Sequence, residues 1–165
     1  MKIVLSVLLL LLTQGDAYNE GKAQLDAKNY DAAEASFRQL VEGEPPVASK
    51  GYEGLALVDI GRKSYDRALE NAKKAVELDG ESAGAHYALG LAYAYKQDFK
   101  SAAPSLEKAI ALNPGNAYAY YQLGLVQYRL KRYDQTVIHF EKFLELMPEA
   151  PEAPQVKNLL KTVRG

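Results

Sequence analysis

The chain has 165 residues, 48% of them apolar and 25% charged, enough apolar material for the core of one ordinary domain. Its 20 Lys and Arg stand against 21 Asp and Glu for a net charge of -1, so no long-range field steers it onto nucleic acid or an anionic membrane surface. Without cysteine there is no disulfide framework, no thiolate metal site and no lipid-bearing cysteine, and stability must come from packing.

Met1 and Lys2 precede an apolar run from Ile3 to Leu12 broken only by Ser6, followed by Thr13, Gln14, Gly15, Asp16 and Ala17. The run spans about ten residues, half of what a helix needs to cross the hydrocarbon core. With its basic start and the small residues Gly15 and Ala17 it looks like a secretory signal peptide over 1–17, cut between Ala17 and Tyr18. The alternative, a buried first helix of a helical stack, calls for one polar face, and this run has none. The expectation is an exported protein, periplasmic or secreted, with no stable membrane span after signal cleavage.

Beyond the leader the chain repeats itself. Leu55, Leu89 and Leu123 are spaced by thirty-four residues, and so are Ala56, Gly90 and Gly124; Tyr65, Phe99 and Tyr133; Ala68, Ala102 and Thr136; and Leu78, Leu112 and Leu146. Gly80, Pro114 and Pro148 close the units. Each unit holds two amphipathic stretches separated by a short polar turn, as in 85–96 and 99–112, which predicts helix, turn, helix. The small residues at 90 and 124 let paired helices approach, with Leu89 and Leu123 filling the space beside them. A looser unit from about 14 to 47 carries Gly21, Tyr30, Ala33, Phe37 and Pro45 in the same order, with one extra residue in the joint that follows. Pro104 lies inside a predicted second helix, where its missing N–H is tolerated strain.

From 49 to 150 this pattern resembles the tetratricopeptide repeat. The resemblance implies an all-α, right-handed solenoid of four repeats, at about 14–47, 49–82, 83–116 and 117–150, together 18–150 of the mature chain. After Met147-Pro148-Glu149-Ala150-Pro151 a further helix restarts, with Val156, Leu159, Leu160 and Val163 on one stripe and Lys157, Lys161 and Arg164 around the other. Residues 151–165 are read as a cap over the open end of the stack.

Little in the chain points to catalysis. His86 and His139 are far apart in sequence with no ligand-spaced neighbour; His86 falls in line with Tyr52 and Tyr120 as a packing residue, and His139 is expected to be exposed on an outer helix. No nucleophile elbow, phosphate loop or dinucleotide fingerprint occurs, and the isolated Gly51-Tyr52-Glu53-Gly54 is too common a spacing to imply nucleic-acid binding. Neither enzyme activity nor a cofactor nor a metal is expected. Glu70, Glu77, Glu107, Glu141 and Glu145 stand among lysines on the second helices and read as exposed ion pairs.

The positive signal is tyrosine: seven of the twelve fall between 87 and 128. In the resembled family the first helix of each unit lines a concave groove. The resemblance therefore points Tyr87, Leu91, Ala94 and Tyr95 inward from the third unit, and Tyr118, Tyr121, Gln122, Leu125, Tyr128 and Arg129 from the fourth, while Tyr93 and Tyr120 pack internally. Such a floor, with Gln122 and Arg129 as polar handles, suits an extended peptide or an amphipathic helix of a protein partner. The lysine, asparagine and arginine clamp with which some family members hold acidic chaperone tails is replaced here by Glu53, Leu57, Tyr87, Leu91, Tyr121 and Leu125. A second reading is a structural protein that forms homo-oligomers through the aromatic face or the terminal helix.

Overall fold

The computed structural model describes residues 15–164. The apolar run 3–12, and with it most of the expected signal peptide, lies outside the described residues. Among the described residues the chain forms nine helices and no strand: α1 (15–26), α2 (Tyr30–Arg38), α3 (Pro45–Gly61), α4 (Tyr65–Leu78), α5 (Ala83–Tyr95), α6 (Phe99–Leu112), α7 (Ala117–Arg129), α8 (Tyr133–Leu146) and α9 (Ala153–Arg164). Each helix from α2 onward packs on its sequence neighbour, and α3, α5 and α7 also touch in series, so the odd-numbered helices form one layer and α2, α4, α6 and α8 the other. No helix among the described residues is long and apolar enough to cross a membrane.

Local chemistry ends each helix where the period does. α4, α6 and α8 stop at Leu78, Leu112 and Leu146, two residues before Gly80, Pro114 and Pro148. The next helix then starts on a polar cap: the Ser82 hydroxyl accepts from the Ala85 N–H at 3.2 Å, and the Asn116 side chain from the Ala119 N–H at 3.2 Å. α3 has no side-chain cap and begins instead on Pro45, whose missing N–H costs nothing at a first turn. Pro104 is exposed within α6.

The turns inside the helix pairs share one closure. Lys28, Lys63, Gln97 and Lys131 all have φ near +60° (60, 63, 63 and 59°). In each, the next N–H reaches back five residues, as Ser64 to Asp59 O at 2.8 Å and Arg132 to Gln127 O at 2.9 Å, satisfying carbonyls that a helix end leaves open. None of the four is glycine, so each holds a left-handed residue at a cost of about 1 kcal/mol.

The core runs the length of the stack and is set by size matching across each helix pair. Gly21, Gly90 and Gly124 face Phe37, Leu106 and Phe140, sixteen residues on. A Cβ added at those glycines would come within 2.7, 2.6 and 2.5 Å of the facing side chain. In the second unit the same positions are Ala56 and Ala72, both fully buried. Where one helix carries glycine the other carries a large residue, and alanine meets alanine, so helix separation holds along the stack. The outer units also replace the buried Ala75 and Ala109 by Leu40 and Phe143, both buried.

Candidate functional site

α5 and α7 lie side by side in one layer, and between them opens a cavity of about 500 Å³. Its floor and walls are Tyr95, Tyr121, Gln122, Leu125 and Arg129, joined by Ala94, Gln97, Phe99 and Val126. Six of the ten residues expected to face inward, Ala94 among them, thus share one concavity. Tyr95 is 47% exposed and stacks on Tyr65 at 5.4 Å between ring centroids, which fixes the ring at the rim. Tyr121 is half-buried because its ring rests on Phe140 at 6.3 Å and Phe143 at 5.2 Å.

The other four lie elsewhere. Leu91 keeps only 6% of its surface, and Tyr87 packs on the cluster around Leu106 and Leu123. Tyr118 leans on Phe143 at 6.1 Å, and its hydroxyl donates to Glu152 at 3.4 Å, so the segment leading into α9 covers it. Tyr128 packs against Tyr133 at 5.9 Å. Sequence reasoning missed Val126, Gln97 and Phe99 as lining residues. Gln97 is a turn residue and Phe99 opens a second helix, and only the short left-handed turn brings both to the mouth of the cavity.

The site is electrically simple. Burial holds the Tyr87 phenol above its ordinary value, with Tyr95 and Tyr118 adding to the effect. Burial also raises Tyr121, followed by Glu152, Tyr95 and Tyr118. These phenols stay neutral at physiological pH, offering apolar rings and hydroxyl donors. The charge at the cavity is that of Arg129, which is exposed and makes no ion pair among the described residues.

Tyr18, Glu53, Tyr87 and Tyr121 occupy the same place in successive units. In the first half of the stack this ladder is closed: Tyr18 donates its hydroxyl to Glu53 Oε1 at 3.1 Å, and the Glu53 carboxylate lies against Gly84 of α5. Glu53 is buried, and burial raises its pKa, partly offset by the Tyr18 hydrogen bond and by Lys22 and Lys50. A carboxyl whose folded pKa exceeds its unfolded one stabilises the fold fully below the unfolded value, and that contribution is lost as pH rises through the folded value. Glu53→Gln keeps an acceptor for Tyr18 and removes the titration. Thermal melts across this range should show the variant gaining on wild type as pH rises from acid to neutral; parallel curves would contradict the assignment.

The histidines have packing roles. His86 Nε2 lies 2.9 Å from Gly80 O, tying α5 to the preceding turn. His139 corrects the expectation of exposure. Its ring is half-buried at 6.3 Å from Tyr120, its Nδ1 is enclosed without a hydrogen-bond partner, and burial lowers its pKa. Of the surface carboxylates, Glu77, Glu141 and Glu145 pair with Lys74, Arg164 and Lys142. Among the described residues no three His, Asp or Glu side chains gather as a metal site.

Residues 18–84, 53–94 and 87–154 each match the family model of the tetratricopeptide repeat. The chain belongs to the tetratricopeptide-repeat family. Among solved structures it is similar to the crystal structure of the MamA protein, with 28% identity over 93% of this chain and 83% of that one and a TM-score of 0.69. Two tetratricopeptide domains at 22% identity share the fold. One is that of Arabidopsis OM64, covering 72% of this chain and 98% of that one, with a TM-score of 0.67. The other is the first such domain of Spaghetti (RPAP3), bound to an HSP90 peptide, covering 70% and 90% with a TM-score of 0.65.

Proposed function

We propose that this tetratricopeptide-repeat protein is an exported, non-catalytic scaffold in the bacterial cell envelope that holds a peptide or helical segment of a protein partner in the cavity between α5 and α7. The observation that carries the reading is the open cavity of about 500 Å³ in which Tyr95, Tyr121 and Leu125 present apolar surface beside Arg129 and Gln122. Apolar concavities with a few convergent polar groups are where segments of other chains dock. That a related domain is described as bound to an HSP90 peptide supports a peptide as the class of partner. Here the ladder offers Glu53, Tyr87 and Tyr121, so an apolar or aromatic segment suits the cavity better than an acidic tail.

The segment is identified by capture from envelope extract and then titrated. Tyr95→Ala with Leu125→Ala should weaken binding by about 2 kcal/mol or more, the scale of hot-spot truncation, with the helical circular dichroism unchanged. Equal affinity of wild type and variant would sink the reading. Tyr121 is a poorer probe because its ring also supports Phe143. Export rests on the apolar run 3–12 and the small residues before Tyr18. Intact mass should show a mature chain beginning at Tyr18, and an uncleaved chain in the cytoplasm would refute export. Self-assembly through the aromatic face has weaker support, because Tyr87 packs on the core around Leu106 and Tyr118 rests on Phe143 with its hydroxyl on Glu152.

A further inference from the structure

The near-zero net charge conceals a segregation. Antiparallel helix pairs put every turn within a pair on one edge of the solenoid and every joint between pairs on the other. Along the first edge, segments 25–31, 60–66, 94–100 and 128–134 carry eight Lys and Arg and five Asp. Along the second, 39–47, 76–84, 110–118 and 144–152 carry eight Asp and Glu and no Lys or Arg.

Internal pairing leaves both edges charged. On the basic edge Arg62 pairs with Asp31 and Glu34, and Lys96 with Asp66. Lys28, Lys63, Lys100, Arg129, Lys131 and Arg132 make no ion pair among the described residues and outnumber the likewise unpaired Asp26, Asp98 and Asp134, and Lys28, Lys63 and Lys131 sit at the left-handed apices of their turns. On the acidic edge Glu77, Glu81 and Glu145 are met by Lys74, Lys108 and Lys142 from the helices behind. Glu42, Glu44, Asp79 and Glu149 have no such partner among the described residues.

We propose that copies of this chain associate side by side, the basic edge of one against the acidic edge of the next. The occupant is a second copy because the two edges belong to one solenoid and share its repeat spacing. A copy displaced along the helix axes sets turns of one chain against joints of the next. The direction also follows. A two-fold interface would set like edges together and repel, so the contact is heterologous and does not close on itself. Exposed pairs are individually weak and screened by salt, so association depends on several acting together and on ionic strength.

Sedimentation velocity of the full chain over a concentration series tests this at about 0.01 M and about 1 M salt, where the screening length falls from about 30 to about 3 Å. At low salt the weight-average sedimentation coefficient should rise with concentration, and at high salt it should return to that of the monomer. Association through apolar surface would instead persist or strengthen in salt. A basic-edge variant, Lys63→Asp, Lys131→Asp and Arg132→Asp, leaves Arg129 and the cavity intact. An acidic-edge variant carries Glu42→Lys, Glu44→Lys and Glu149→Lys. Each alone should be monomeric at low salt, and an equimolar mixture should associate. A wild type that stays monomeric at every concentration in low salt overturns the proposal, as does association that salt leaves unchanged.

Discussion

Gly54→Ala should lower the stability of the chain by about 2 kcal/mol, although alanine in an open helix gains about 1 kcal/mol over glycine. The Cβ would overlap atoms of the Phe37 ring, closer than real contacts allow, and that ring is also hemmed in at Gly21, where a Cβ would lie 2.7 Å from it. Phe37 is fully buried between α1 and α3, so the clash is relieved only by parting the first two helix pairs. Denaturant midpoints read the effect. Gly80→Ala is the control, since its Cβ would meet nothing nearer than Val76 O at 3.8 Å. Adding Phe37→Leu to Gly54→Ala should recover part of the loss. A Gly54→Ala variant as stable as wild type would mean that the first two pairs are not locked through Phe37.

Phe143→Ala carries the largest expected loss, about 3–5 kcal/mol, the range for a fully buried aromatic truncated without collapse of its site. Phe143 has no exposed surface and lies in the cluster with Phe140, Val156 and Leu160, joining α8 to α9. It also backs two of the four tyrosines of α7, Tyr118 at 6.1 Å and Tyr121 at 5.2 Å. The chain has no tryptophan, so the near-ultraviolet dichroism of tyrosine reports the loss of fixed rings. That signal should fall together with the denaturant midpoint, while Ile138→Ala, at a side chain 53% exposed on the same helix, changes little. A Phe143→Ala loss below about 1 kcal/mol would show that the C-terminal cluster can repack around the hole.

The helical-repeat fold is legible in the sequence because each unit buries its apolar face against the next, and that demand recurs every thirty-four residues as Leu55, Leu89 and Leu123. Close approach at Gly90 and Gly124 is legible for the same reason. Gly54 is not, because its constraint comes from Phe37 on the preceding helix, and no single-helix pattern records that contact. The groove shows the same division. Helical periodicity places Tyr95, Tyr121, Gln122, Leu125 and Arg129 on one face, and they share the cavity. Tyr118 has the same periodicity, yet Glu152, thirty-four residues on, takes its hydroxyl. His139 likewise sits on an outer helix, where Tyr120 from the facing helix leaves it half-buried. Periodicity records which way a side chain leaves its own helix; what meets it there depends on residues of the helices packed against it.

The most direct test of groove binding is a photocrosslinking side chain placed at Gln122, inside the cavity, and in a second protein at Ile138, exposed on the outer layer. Both proteins are irradiated in the envelope fraction. The groove account predicts a covalent adduct with one discrete polypeptide from position 122 and none from 138. Adducts from 138 alone, or equally from both, would contradict it and move recognition to the outer surface.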